Sequence, residues 1–120
     1  MSAKKIVKEF YKSDAFINEN KMKDFLHHDL IIEWNSTKGF LTLEKNSALA
    51  LTKQMSVAYV QSSIKISHIF QKADLVSVRY SHFVKSFENP NEEMLLAHFM
   101  AIWEIKEKKL FRGWQMSQIS

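Results

Sequence analysis

The sequence predicts an α+β fold, with helices in the first half of the chain and a curved antiparallel sheet in the second half. The first observation is a change of period: apolar residues recur at helical spacing up to about residue 60, and at every second position after it. The second is the composition, because 120 residues of which 46% are hydrophobic and 25% are charged suffice for one core. We therefore predict a single domain over residues 1–120.

Two helices and a strand are predicted in the first 35 residues. Residues 3–17 place Ile6, Phe10 and Ile17 on one face and lysines on the opposite face, which is typical of an amphipathic helix. Asn18 or Asn20 can cap a short second helix that ends in an apolar patch. Residues 30–35 follow as a strand.

A turn, a short extended segment and a third helix are predicted next. The turn covers residues 36–39, where Gly39 is expected to adopt a positive φ. The extended segment covers residues 40–43. The third helix covers about 43–58, and its apolar stripe consists of Ala48, Leu51, Met55 and Ala58.

The second half predicts four long strands. Residues 64–71 and 76–85 alternate between apolar and polar side chains, as half-buried strands do. Residues 93–105 are apolar on both faces, and residues 109–119 form the last strand. A strand that is apolar on both sides must be covered on both sides. Because the helices cover one face only, we predict a homodimer joined through the outer face of the sheet.

Composition excludes several classes of protein. The absence of cysteine excludes disulfides and thiolate metal sites. No apolar run approaches the ~20 residues of a membrane span, and the N-terminus lacks an apolar signal core, so a cytoplasmic location is expected. The net charge of +4 includes lysines at helical spacing, which we interpret as a solvated helix face. Neither nucleic acid nor a membrane is expected as a partner.

Several polar and aromatic side chains fall on strand positions that we predict to face a pocket. Tyr80 and His82 are assigned to the inner face of the 76–85 strand. His98 lies on the neighbouring 93–105 strand and is assigned to the same inner face of the sheet. Asp14 lies near the apolar stripe of the first helix, where a carboxylate is unexpected. Together they are candidates for acid–base catalysis, although a core histidine and a solvated Asp14 are the alternatives. The candidate ligand-binding residues are Trp34, Trp103, Trp114 and Gln118.

The histidines of the predicted strands are also candidates for metal ligands. Imidazole suits zinc or iron, but the spacing of His68, His82 and His98 does not require a metal. His27 and His28 are adjacent at the end of a predicted helix, where their side chains diverge, and we interpret them as structural. No metal and no cofactor is predicted.

Two segments carry a resemblance to a known family. Residues 25–34, FLHHDLIIEW, look like a helix end followed by a first strand, and residues 102–114, IWEIKEKKLFRGW, look like a final hairpin. With the order of elements over the whole chain, they resemble the nuclear-transport-factor-2-like superfamily, and most of all its small stand-alone SnoaL-like bacterial members. The resemblance implies a cone-shaped, cystatin-like roll: a strongly curved sheet wrapped around the N-terminal helices, with a pocket at its wide end.

The resemblance leaves the function open, because this fold serves many functions. Relatives include isomerases, cyclases, dehydratases and proteins that only bind partners. Many cyclase-like relatives have an Asp four residues after the last-strand Trp, where this chain has Gln118 after Trp114. We predict a pocket with aromatic walls that binds a small hydrophobic, aromatic or polycyclic molecule. Acid–base chemistry on that molecule is an additional role considered for the pocket. The alternative is a non-catalytic, dimeric protein-interaction module.

Overall fold

The computed structural model describes residues 2–120 and contains three α-helices, one 3-10 turn and six strands. In chain order these are α1 (Ala3–Lys12), the 3-10 turn (Ala15–Ile17), α2 (Glu19–Phe25), β1 (Leu26–Ser36), β2 (Gly39–Glu44), α3 (Lys45–Ala58), β3 (Tyr59–Lys72), β4 (Leu75–Ser86), β5 (Met94–Lys106) and β6 (Lys109–Ile119). The predicted α+β class and order of elements are confirmed. Gly39 has the expected positive φ, at 115°.

The first predicted helix is too long, because the chain leaves the helical conformation at Ser13. This residue has an extended backbone, and its N–H closes the last turn by bonding to the Glu9 carbonyl at 3.1 Å. Its hydroxyl donates to the Phe10 carbonyl at 2.7 Å. A serine side chain competes for backbone groups in this way, which ends helices. Asn18 is the cap of α2, and its side chain accepts a hydrogen bond from the Lys21 N–H at 3.1 Å.

All six strands form one curved, unclosed sheet in the order β2-β1-β6-β5-β4-β3. Neighbouring strands are antiparallel except for β1 and β6, which pair in parallel. The prediction of an entirely antiparallel sheet is therefore wrong at this one pair. β1 is also longer than predicted, since it begins at Leu26 directly after α2. Register shifts leave extra residues in β1, β3, β5 and β6, among them Leu96 and Phe111, and such bulges bend and twist strands.

The helices pack against the inner, concave face of this sheet. The apolar residues of α1, among them Ile6, Val7 and Phe10, are buried there. The inner positions of β4 are buried along its length, from Val76 to Val84. Within residues 2–120, no helix combines the length and the apolar character that crossing a membrane requires.

Candidate functional site

A cavity of about 170 Å³ lies between the inner face of the sheet and the helices. Its walls come from α1, the 3-10 turn, α2, α3 and five of the strands, β3 being the exception. The side chains that line it are mainly aliphatic and aromatic: Phe10, Phe16, Met22, Leu26, Ile32, Trp34, Leu43, Ala48, Leu51, Thr52, Met55, Tyr80, His82, Leu96, Phe99, Trp103 and Gln115. The cavity is thus an apolar space with few polar groups.

Aromatic rings form a continuous wall along the sheet side of the cavity. Tyr80 and Phe99 are cross-strand partners, and their rings stack with centroids 4.9 Å apart and planes inclined by 5°. Trp34 continues the wall on β1, 6.1 Å from Phe99. Its indole N–H donates to the Ser117 hydroxyl at 2.8 Å. The sheet side of the cavity is therefore aromatic, and the Trp34 N–H is satisfied by the protein.

A buried aromatic cluster lies at the inner end of this wall and consists of Trp103, Tyr11 and Tyr80. The indole N–H of Trp103 donates to the Tyr11 hydroxyl at 2.8 Å, and the rings of Tyr11 and Tyr80 lie 4.4 Å apart. Burial raises the pKa of Tyr11 and that of Tyr80 well above the usual value, because a phenolate here loses its hydration. Both phenols are neutral at physiological pH.

His82 is the histidine of β4 that borders the cavity. Its side chain is 3% exposed, and its ring lies 5.0 Å from that of Phe16. Nε2 is hydrogen-bonded to the Ser62 hydroxyl of β3 at 2.7 Å. Burial lowers the pKa of His82 to about 4, because the imidazolium is poorly solvated in this apolar setting. The ring is therefore uncharged at neutral pH.

Most other polar groups of the cavity are already paired. The Thr52 hydroxyl donates to the Ala48 carbonyl one turn earlier in α3, at 3.1 Å. The Gln115 amide, by contrast, has no side-chain hydrogen bond within residues 2–120 and is half-buried. In the part of the chain that the structure describes, no Asp, Glu, Lys or Arg side chain lines the cavity. A bound molecule would meet apolar surface and a few neutral polar groups.

Four of the predicted site residues meet at this cavity: Trp34, Tyr80, His82 and Trp103. His98 does not, so the prediction that His82 and His98 converge is wrong. His98 pairs with Ser81 of β4 and lies on the outer, exposed face, where its Nδ1 is 2.8 Å from the Ser81 hydroxyl. Because residues 93–105 are apolar on both faces, their alternation did not reveal which side His98 occupies.

The same strand parity places Trp114 and Gln118 on the outer face. Gln118 pairs with His98, and Trp114 pairs with Ile102. The indole N–H of Trp114 donates to Glu33 on that face at 3.1 Å. The predicted place of both residues in the pocket is therefore wrong. The inward residues of β6 are their neighbours, and Gln115 is the one whose side chain reaches the cavity.

Asp14 also lies away from the cavity. The break at Ser13 turns it outward, where it is exposed and 3.3–3.4 Å from the amide nitrogen of Asn18. The predicted pairing of Asp14 with a histidine is thus wrong. Sequence reasoning overlooked Ser62, Gln115 and Phe99, although the stripe of Ala48, Leu51 and Met55 on α3 was a usable signal for the helix side of the cavity.

His27, His28 and Asp29 bring three possible metal-ligand atoms within 4.8 Å of one another. They lie at the start of β1 rather than at a helix end. Nδ1 of His27 accepts a hydrogen bond from the Asp29 N–H, at 3.0 Å, so a neutral ring carries its proton on Nε2. That proton points to Glu107, at 3.0 Å. Neither nitrogen of His27 has a lone pair free for a metal, which supports the structural interpretation.

The fold recurs in solved structures of very different sequence. IdmH from Streptomyces antibioticus is 13% identical, with a TM-score of 0.75 over 98% of this chain and 92% of that chain. A SnoaL-like protein from Shewanella denitrificans is 10% identical, with a TM-score of 0.73 over 96% and 89% of the two chains. The chain has the nuclear-transport-factor-2-like fold. The resemblance stated from the sequence is confirmed for the fold.

A third similar structure shows the range of proteins that share this fold. The LEH-like epoxide hydrolase of M. tuberculosis is 13% identical, with a TM-score of 0.73 over 96% of this chain and 81% of that chain. No protein-family model matches the sequence, and a search of curated proteins also gives no match. At such identities the nuclear-transport-factor-2-like fold is shared, while the chemistry of the site has to be argued from this chain's own residues.

Proposed function

We propose that this protein binds a small, uncharged, largely apolar molecule in the cavity between the sheet and the helices. The observation that carries the proposal is an apolar cavity, bordered by few neutral polar groups, at the inner face of the sheet. Sites for small molecules combine apolar walls with a few placed polar groups in this way. The fold's occurrence in a described epoxide hydrolase and in candidate polyketide cyclases is consistent with small-molecule binding.

The volume of the cavity limits the size of the ligand. An apolar cavity of about 150 Å³ takes up benzene, whereas sites for drug-sized molecules measure about 300–1,000 Å³. At about 170 Å³, this cavity suits a single ring or a short chain. Of the ligands expected from the sequence, the proposal therefore retains the small aromatic molecule and excludes the polycyclic one unless the cavity widens.

The electrostatics of the site favour binding over acid–base catalysis near neutral pH. A general base works best with a pKa near the operating pH, whereas the pKa of His82 is lowered to about 4. The Tyr80 hydroxyl, which was expected to donate to a substrate carbonyl, remains a neutral phenol because burial raises its pKa, so it cannot serve as a base. Isomerase, cyclase or dehydratase chemistry would thus need groups that the substrate or a rearrangement brings in.

The test is to fill the cavity from the helix side. Ala48 is buried on α3 and lines the cavity, so Ala48→Leu places three extra carbons there. We expect toluene to bind the wild type, detected by ligand-observed NMR, and to stabilise it by about 2.7 kcal/mol at 100 times its Kd. The Ala48→Leu variant should stay folded and lose this binding.

Ala50 provides the matched control, because it lies on the exposed side of the same helix. Ala50→Leu should bind toluene as the wild type does. A wild type that binds neither toluene nor similar single-ring molecules contradicts the proposal. Equal binding by the Ala48→Leu variant would place the bound toluene elsewhere on the molecule.

The outer face of the sheet supports a second proposal, that two copies associate through it in the cytoplasm. Met100 and Met116 are cross-strand partners, and so are Ile102 and Trp114. All four are exposed large apolar side chains, and we call them the outer patch. Contiguous exposed apolar residues often mark an interface. The same patch would serve the alternative function, a module that binds a different protein.

A further inference from the structure

His82 has one ring nitrogen that the protein itself leaves unpaired. Nε2 is bonded to Ser62, whereas Nδ1 has no hydrogen-bond partner within residues 2–120. Among those residues, no fully buried side-chain nitrogen or oxygen lacks a partner. Nδ1 therefore borders accessible space, and His82 is one of the residues that line the cavity.

Ser62 contacts His82 from outside the cavity. It lies on β3, it is half-buried, and it does not line the cavity although it is bonded to His82 at 2.7 Å. A serine next to a histidine can also be an activated nucleophile. That role requires the serine oxygen to reach a substrate, and it requires a third group that orients the histidine. Within residues 2–120, neither ring nitrogen of His82 contacts a carboxylate.

On the basis of the proposed binding function, we propose that Ser62 is a positioning residue that holds His82 with Nδ1 turned toward the cavity. There Nδ1 anchors a neutral single-ring molecule that bears a hydroxyl group. The hydroxyl follows from the chemistry of the pair. If Ser62 donates to Nε2, then Nδ1 carries the proton and donates to the ligand; in the other tautomer Nδ1 accepts. A hydroxyl group can satisfy either arrangement, because it both donates and accepts.

The surroundings of His82 select for a neutral molecule. Its ring packs against Phe16, and the lining of the cavity contributes aliphatic and aromatic side chains with no charged group among residues 2–120. An ion would lose its hydration on entry without gaining an opposite charge, which is strongly unfavourable. A hydroxyl group placed at Nδ1 exchanges one hydrogen bond to water for one to the protein, while the ring enters apolar space.

The experiment compares phenol with toluene and benzoate, three probes of similar shape. By calorimetry or ligand-observed NMR, phenol should bind the wild type about three- to tenfold more tightly than toluene, as expected for one net hydrogen bond. Benzoate should not bind measurably. In Ser62→Ala the preference for phenol should fall to twofold or less while toluene affinity is unchanged, and Ser62→Thr, which keeps the hydroxyl, should restore the preference.

Ser63→Ala is the matched control, because the Ser63 hydroxyl contacts Glu93 at 3.4 Å instead of His82. It should keep the wild-type ratio of the two affinities. The ¹⁵N shifts of the His82 ring supply a readout that depends on no variant: they should report one neutral tautomer in the wild type and a shift of Nδ1 on addition of phenol. In Ser62→Ala they should report a mixture of tautomers.

The outcomes separate this inference from the binding function. If toluene and phenol bind the wild type equally, or if Ser62→Ala keeps the full preference, the anchor is refuted while binding in the cavity stands. An Nδ1 shift that does not respond to phenol refutes it as well, even if Ser62→Ala fails to fold. If neither toluene nor phenol binds the wild type, the binding function itself is refuted together with the anchor.

Discussion

Gly113 shows how a single small residue determines the packing of the cavity's inner end. A Cβ added there would lie 2.5 Å from Cζ3 and 2.9 Å from Cε3 of the Trp103 ring. Gly113 and Trp103 are cross-strand partners, so the indole lies flat over a position that has no side chain. Trp103 is 3% exposed and is held by its hydrogen bond to Tyr11, so it has little room to move.

We therefore expect Gly113→Ala to destabilise the fold by about 1–3 kcal/mol, the usual range for overpacking a core. Urea unfolding followed by Trp fluorescence measures this change. In a Trp103→Phe background the smaller ring leaves room for the added methyl group, so the same substitution should be less harmful there. An equal loss of stability in both backgrounds would show that the contact with Trp103 is not the cause.

The histidine at the cavity makes a prediction about pH. The pKa of His82 is about 4 in the folded protein and about 6.5 in the unfolded chain. Between these values the unfolded chain binds the extra proton, so protonation favours unfolding. Stability should be highest above pH 6.5 and should fall by about 3 kcal/mol as the pH decreases from 6.5 to 4.

Urea unfolding at several pH values measures this dependence. His82→Gln cannot take up the proton, and its stability should vary less over the same range. The comparison uses the difference between the two proteins, since carboxylates that titrate near pH 4 affect both in the same way. A wild type and a variant with parallel pH profiles would contradict the lowered pKa.

At the scale of elements, alternation was informative only where one strand face is polar. On β4 the apolar positions identified the inner face, and Tyr80 and His82 are indeed directed to the cavity. On β5 both faces are apolar, and the sequence alone gave no means of choosing the face of His98. On β6 the register shift between Leu110 and Arg112 interrupts the alternation, so Trp114 and Gln118 lie on the face opposite to the buried Leu110.

Helix boundaries and long-range partners account for the other differences. The apolar stripe of residues 3–17 continues past Ser13, so periodicity did not reveal that the helix ends at Lys12 and that Asp14 is exposed. The partnership of Ser62 with His82 depends on the register between β3 and β4, which pairs Ser62 with Val84 and Ile64 with His82. Such a register is a property of the whole sheet, and no local pattern in the sequence encodes it.

At the scale of the whole molecule, the curved sheet carries apolar side chains on both of its faces. The helices cover the inner face, except for the cavity. The outer face carries the outer patch, with Met116 65% and Met100 57% exposed at its centre. The prediction of a single domain over residues 1–120 concerns the same scale, and a single cooperative unfolding transition is its expected signature.

The last prediction concerns the outer patch. We expect the wild type to sediment as a dimer at micromolar concentration, because association would remove the exposed apolar side chains of the outer patch from water. A stable interface of this kind buries more than about 1,000 Å² in total. Met100→Lys places a charge opposite Met116 on the patch, and a charge buried there without a partner is strongly unfavourable. The variant should be monomeric, with a dimer Kd raised at least about tenfold, and its circular dichroism should match that of the wild type.

Val57→Lys is the control, because Val57 is 76% exposed but lies near the end of α3, away from the outer face. It should stay dimeric. A wild type that is monomeric at micromolar concentration contradicts self-association, and it would leave the outer patch as a surface for a different protein, in agreement with the alternative function. A Met100→Lys variant that stays dimeric while the wild type is dimeric would show that the two copies meet elsewhere, and the four exposed side chains of the patch would then need another explanation.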